Sequence, residues 1–95
     1  MASSDPRALL RRLIIEWLDD NYHFGEAEAK LGGDDASWLK GGVLDSLGFV
    51  QLILHLENTL KLKINRKEIS PKNFDSMNKI LAYVTSHPQF RGLPR

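Results

Sequence analysis

The 95-residue sequence contains no cysteine. That excludes a disulfide framework, a thiolate metal site and a cysteine nucleophile, and it fits a reducing compartment. No apolar run approaches the length needed to cross a bilayer. The N-terminal Met1-Ala2-Ser3-Ser4-Asp5-Pro6 lacks the basic, apolar, then small-residue order of a secretory leader. These absences predict a soluble, cytoplasmic protein that neither enters a membrane nor binds nucleic acid. Gly32-Gly33-Asp34-Asp35 lacks the alternating oxygen ligands and closing Glu of a calcium loop, so no metal is expected. No internal repeat and no low-complexity segment is present. Strand-like alternation is confined to Leu62-Lys63-Ile64-Asn65.

Acidic residues are scarce in the second half. Residues 1–45 carry 5 Lys/Arg against 9 Asp/Glu, whereas residues 46–95 carry 8 against 3. The net charge of +1 hides this asymmetry. Lys61, Lys63, Arg66 and Lys67 cluster in the basic half. They read as a solvated face, with a docking patch as the alternative. The three histidines, His23, His55 and His87, lie far apart in sequence and are expected at the surface rather than as ligands or catalysts.

What is present is helical periodicity. Asp5-Pro6 is a capping carboxylate followed by Pro at the first helical position, where its missing N–H costs nothing. Leu10, Leu13, Ile14, Trp17 and Leu18 follow at helical spacing and predict a first helix over 6–22. Residues 25–44 read as a long loop with one helical turn at 26–31, pinned to the core by Leu31, Trp38, Leu39, Val43 and Leu44. A second helix spans 46–60, with Lys61 and Lys63 suited to its negative pole. A short third helix or a single turn is expected at 65–69, interrupted by Pro71. Phe74 reads as a core plug. Asp75 or Ser76 caps a last helix carrying Met77, Ile80, Leu81 and Val84, and Pro88 stops it. The length implies one domain. Its expected limits are 5–87, with flexible termini at 1–4 and 88–95.

The second helix is the informative one. At about 100° per residue, Phe49, Leu52, Ile53, Leu56 and Leu60 form one apolar stripe, while Leu47, Val50 and Leu54 form another. A helix with two stripes is central, or keeps an apolar face for a partner. Asp45 is a good N-cap, which leaves the Ser46 hydroxyl free in the first turn. No capping box completes the site, since neither Gly48 nor Phe49 can reach back. An anion attached at Ser46 would lie in the favourable field of the helix N-terminus. A hydrolase nucleophile is excluded: Leu44 and Gly48 do not make the G-x-S-x-G elbow, and no strand precedes the serine. His55 lies about two and a half turns along the helix, too far to serve Ser46 as base.

Asp45-Ser46-Leu47, opening an apolar helix after a Gly-rich loop, resembles the attachment motif of acyl and peptidyl carrier proteins. Ile69-Ser70-Pro71-Lys72-Asn73-Phe74-Asp75-Ser76 is similar to the segment leading into the last helix of many such proteins. The resemblance covers residues 9–84. It implies an all-α four-helix bundle of the acyl-carrier type, with a short third helix and a long loop between helices 1 and 2. It also implies a monomer without catalysis of its own. Ser46 would carry a covalent 4′-phosphopantetheine arm, making this a phosphoprotein, with Asp45 and Leu47 beside the arm. Acyl or aminoacyl groups would ride on the arm as thioesters through a biosynthetic pathway. Leu47, Val50, Gln51 and Leu54 would meet partners: a phosphopantetheinyl transferase, an acyl- or aminoacyl-loading ligase, and downstream synthases or transferases. Many fatty-acid carriers are strongly acidic along the helix after the serine. Here that helix holds only Glu57, which leans toward a peptidyl-like or specialised carrier. The competing reading is a small helical adaptor that uses the Leu47 stripe without a prosthetic group. A DNA-reading helix is disfavoured because this helix is too apolar.

Overall fold

The computed structural model describes residues 5–91. Residues 1–4 and 92–95 of the expected flexible termini lie outside them. Among the described residues the chain is helical throughout, with no strand. Six α-helices are joined by one π turn and one 3-10 turn: α1 (Pro6–Leu18), α2 (Ala27–Leu31), α3 (Trp38–Gly41), α4 (Ser46–Leu60), α5 (Pro71–Phe74) and α6 (Met77–Thr85). The three long helices, α1, α4 and α6, supply most of the core. The short ones lie in the connections, so the small acyl-carrier-type bundle is the architecture observed.

Helix α1 starts as its sequence requires. The Asp5 carboxylate accepts from Arg7 N at 3.1 Å, with Pro6 in the first turn. Leu10, Ile14 and Leu18 are fully buried, and Leu13 and Trp17 flank them half-buried. The helix does not run on to Tyr22 in α form. Asp19–His23 winds as a π turn, closed by the Phe24 N–H donating to Asp19 O at 2.8 Å and by Phe24 in the left-handed region at φ 49°. The Asp19 carboxylate then accepts from Gly25 N and Ala27 N at 3.1 and 2.8 Å. It thereby caps α2, whose own N-cap residue makes no side-chain bond.

The long connection between α1 and α4 holds two short helices, α2 and α3, rather than one turn. It is tied to α1 and to the start of α6. Arg11 on α1 grips Asp34 through Nε (2.9 Å) and Nη2 (2.8 Å), and grips Glu28 with its two terminal nitrogens. Asp34 O accepts from Asn78 N at 2.9 Å, and the Asn78 amide donates to Asp35 at 2.6 Å. Asp75 takes the free end of α3. It accepts from Ser37 Oγ (2.6 Å) and Leu39 N (2.9 Å), and its own carbonyl accepts from Trp38 N (2.8 Å). Partial burial opposes ionisation of Asp75. The bonds from Ser37 and Leu39, with Lys79 nearby, nonetheless hold it below the usual carboxylate range. With the start of α3 fixed in this way, Trp38 is fully buried and Leu39 faces outward, 46% exposed. Leu39 was expected in the core. Leu31, Trp38, Val43 and Leu44 are buried and pin the loop.

Helix α4 divides as its periodicity requires. Leu52, Ile53, Leu56 and Leu60 are buried and Phe49 is half-buried. Lys61 ends the helix in the left-handed region at φ 57°, and the Glu57 carboxylate accepts from Ile64 N at 2.8 Å, so Leu62 and Ile64 turn inward. The expected third helix is a 3-10 turn at Arg66–Glu68, and Pro71 begins α5 instead of ending anything. Its fixed φ suits the first helical position. Phe74 is buried, and Ser76 rather than Asp75 caps α6 by accepting from Lys79 N at 3.1 Å. The described part of the supposed tail is held in place. Gln89 Oε1 accepts from Lys63 N at 2.7 Å, and Phe90 packs on the core.

None of the three histidines is simply a surface group. The His23 ring meets Val43 O at 3.0 Å and the His87 ring meets Lys63 O at 2.7 Å. His55 stacks on Trp17 with centroids 5.8 Å apart, and burial pushes its pKa down.

The Arg11 clamp carries a pH dependence. The bonds from Arg11 hold Glu28 and Asp34 below the usual carboxylate range, against some desolvation. A carboxyl with a depressed folded pKa adds stability above its unfolded pKa and loses it as pH falls through the folded value. Stability is therefore expected to decline below about pH 4.5. Arg11→Met is expected to cost roughly 1–2 kcal/mol at neutral pH, the lower range for charged hydrogen bonds because both carboxylates are partly solvated. Urea midpoints measured across pH check this: the two proteins differ at neutral pH and converge in acid.

Candidate functional site

Ser46 occupies the first position of α4. The Asp45 carboxylate accepts from Gly48 N at 2.8 Å, so Asp45 caps the helix. Ser46 is exposed, and its Oγ makes no hydrogen bond to a described residue. Among the described residues no base is bonded to it. The chain reaches it through a reversal at Gly42, in the left-handed region at φ 71°, after which Val43 and Leu44 are buried.

Gly48 lies where the loop approaches the first turn of α4 closely. A Cβ there would stand 2.8 Å from Leu44 Cδ2 and 3.2 Å from Asp45 Oδ1. A side chain at this position would require Leu44 to shift, so glycine suits the close approach of the loop to the first turn. Gly48 is buried and donates the N–H that the Asp45 cap accepts, in the first turn that Ser46 begins.

Two hollows flank the serine. One lies between the π turn and the loop and is lined by Tyr22, His23, Leu39, Val43, Asp45 and Ser46. The other is an apolar cleft of about 320 Å³ between α4 and the chain around α5, walled by Phe49, Val50, Ile69, Pro71 and Phe74. Leu39 and Ser46 border both. Sequence reasoning missed Leu39 as a site residue because its apolar character assigned it inward. It also missed His23, whose place beside Ser46 depends on the π turn.

The second stripe of α4 lies in solvent. Leu47 is 65%, Val50 45% and Leu54 44% exposed, and Gln51 is exposed beside them. Together with Leu39 they are among the few large apolar side chains left uncovered. The exposed apolar stripe thus rises along the same helix that the exposed Ser46 begins.

A compact helical bundle of this kind is the architecture of the acyl- and peptidyl-carrier class. Sequence comparison points the same way. Over 50 residues, 53% of this chain, it is 40% identical to the D-alanyl carrier protein of Streptococcus uberis, covering 63% of that protein. It is 38% identical over 52 residues to D-alanyl carrier protein 2 of Lactiplantibacillus plantarum, and 37% identical over 51 residues to the D-alanyl carrier protein of Streptococcus sanguinis. These matches cover 55% and 54% of this chain and 65% of each of those proteins, so the chain spans somewhat under two thirds of the relatives' length. No family model matches the chain. The chain is a homologue of carrier proteins of the acyl and peptidyl type.

Proposed function

We propose that this chain carries acyl or aminoacyl groups as thioesters on a 4′-phosphopantetheine arm at Ser46 and delivers them to partner enzymes. The observation that carries the reading is the exposed Ser46 Oγ, unbonded because Asp45 has taken the capping role. When bound, the arm supplies the thiol that holds the cargo. The protein's own contribution is position. In the modification step Ser46 Oγ forms a bond to the β-phosphorus of coenzyme A. The pyrophosphate linkage breaks, the adenosine bisphosphate half leaves, and the hydroxyl proton passes to the transferase. The resulting phosphodiester anion fits the N-terminus of α4, where the helix field favours negative charge. The long tether then raises the local concentration of cargo at each partner's active site.

The relatives are named for a D-alanyl cargo, which favours a small aminoacyl group here as well. A ligase that activates the group and a transferase that accepts it are the partners this reading requires. The direct test is incubation with coenzyme A and a broad-specificity phosphopantetheinyl transferase, followed by intact mass measurement. A carrier gains one arm, located by fragmentation at Ser46. A protein that gains nothing is the alternative, a helical adaptor, which the exposed Leu47, Val50 and Leu54 also suit.

Val50→Asp tests the recognition role of the stripe. Val50 is 45% exposed, so a carboxylate there stays solvated in the free protein and the unfolding midpoint is expected to move little. Against an apolar partner surface the same charge is desolvated without a counterion, which is costly. Loading rate on the variant is expected to fall at least about tenfold, the effect of roughly 1.4 kcal/mol. Unimpaired loading by a stable variant would remove Val50 from the docking surface.

A further inference from the structure

We propose that the hollow between the π turn and the loop seats the pantetheine arm, with Tyr22 and His23 as its polar contacts. The inference rests on the carrier reading of Ser46 and names the residues of this chain that would hold the attached group. Ser46 borders two cavities, so an arm that starts there can fold into either. Their volumes, about 510 and 320 Å³, both lie in the usual range for small-molecule sites, about 300–1,000 Å³, so size does not choose between them. The supply of hydrogen-bond partners does. The arm alternates polar and apolar parts: a phosphodiester, a dimethyl carbon beside a hydroxyl, a pair of secondary amides and a terminal thiol. Each amide brings an N–H donor and a C=O acceptor.

The hollow supplies partners of both kinds. His23 Nε2 lies 3.0 Å from Val43 O. A carbonyl only accepts, so Nε2 holds the proton, and in the neutral ring Nδ1 is left as an acceptor. Nδ1 has no bond to a described residue. The hydroxyl of Tyr22, the preceding residue, is likewise without a partner among the described residues, while its ring rests on Trp17 with centroids 5.4 Å apart. That hydroxyl can donate to a carbonyl. A donor and an acceptor on consecutive residues thus complement the two ends of an amide. Asp45 adds a further acceptor, since only its Oδ1 is taken by Gly48 N. Half-exposed Leu39 at the rim offers apolar surface for the dimethyl group. The cleft on the other side of Ser46 is poorer in partners. Its walls are Phe49, Val50, Ile69, Pro71 and Phe74, and its polar side chains beyond Ser46 are Ser70 and Asp75. Both carboxylate oxygens of Asp75 already accept, from Ser37 and Leu39. Amides laid in the cleft would leave water without enough partners, which is costly, whereas in the hollow they exchange one set of hydrogen bonds for another.

The test uses the full chain, labelled with 15N and 13C, before and after transfer of the arm from coenzyme A by a broad-specificity phosphopantetheinyl transferase. Intact mass shows whether the arm is present. In the modified protein the dimethyl and methylene protons of the arm are expected to give nuclear Overhauser contacts with the side chains of Tyr22 and His23. The amides of Tyr22, His23 and Val43 are expected to shift more than those of Ile69 and Phe74. Tyr22→Phe removes the hydroxyl and keeps the ring on Trp17. The variant is expected to stay folded and to accept the arm. Its ratio of docked to free arm should fall about fivefold, the worth of one ordinary hydrogen bond, read as weaker Overhauser contacts and faster motion of the arm's methyl groups. Contacts with Phe49, Ile69 or Phe74 in place of Tyr22 and His23, an arm without contacts to any side chain, or contacts unchanged in Tyr22→Phe would each overturn the proposal. The mass measurement separates the two readings. A chain that gains the arm at Ser46 and holds it elsewhere loses this seat alone, whereas a chain that gains none loses the carrier role and the seat with it.

Discussion

Ser46→Ala is expected to abolish modification completely while leaving the protein folded. The hydroxyl is the only atom removed, and it has no bonded partner among the described residues, so no hydrogen bond is lost with it. The cap of α4 stays intact because Asp45 makes it. Alanine is also a better helix former than serine, so the change in stability should lie within about 0.5 kcal/mol of zero. Mass measurement after transferase treatment and a denaturant titration on the same preparation give both answers. Persistent modification of the variant would place the attachment elsewhere. A loss of about 1 kcal/mol or more would assign Ser46 a capping role that the geometry gives to Asp45.

Leu56→Ala is expected to produce the largest loss of stability of any change considered, roughly 2–5 kcal/mol. Leu56 is fully buried on α4, in the same cluster as Leu10 and Ile14 of α1 and Ile80 and Val84 of α6. Truncation removes the transfer energy of the side chain and leaves a hole that three long helices would have to shift to fill. A domain of this size has only about 5–15 kcal/mol in total, so a substantial share would go. The contrast with Leu54→Ala, two residues away and 44% exposed, makes the measurement specific. Similar midpoints for the two variants would mean that the core lies on the other side of the helix.

Helix α4 was legible in full. Its start follows from Asp45, its end from the run to Leu60, and the inward and outward stripes from angular spacing alone, because a long amphipathic helix records its environment in its own sequence. The connection before it was not. Helix α3 has four residues and takes its first-turn partners from Asp75, 36 positions from Leu39. Ser37 caps α3 locally through Lys40 N, but no local pattern encodes the acceptors that Asp75 supplies to Trp38 and Leu39 from so far away, so Leu39 read as core when it faces out. The π turn at Asp19–His23 was hidden for a related reason: a helical period continues through it, and only the bond from Phe24 N to Asp19 O reveals the wider winding. Pro71 was read as an interruption, but after the extended Ser70 it is a start. At the site, Asp45, Ser46 and the exposed stripe were visible as residue types, whereas the need for Gly48 lies in a contact with Leu44 that has no sequence signature.

The attachment of α3 to Asp75 also governs how that region opens to solvent. An isolated four-residue helix would fray freely, and its amides would exchange with deuterium almost as fast as in an unfolded chain. The N–H groups of Trp38 and Leu39 are instead bonded to the junction between α5 and α6, and Asn78 N is bonded back to Asp34. These three amides stitch the loop to the start of the last helix from both sides. They are expected to share one protection factor, close to that of the α6 interior, and to open together as a single cooperative unit. The segment leading to Ser46 is thus a loop by shape that is expected to exchange with the slow body of the protein.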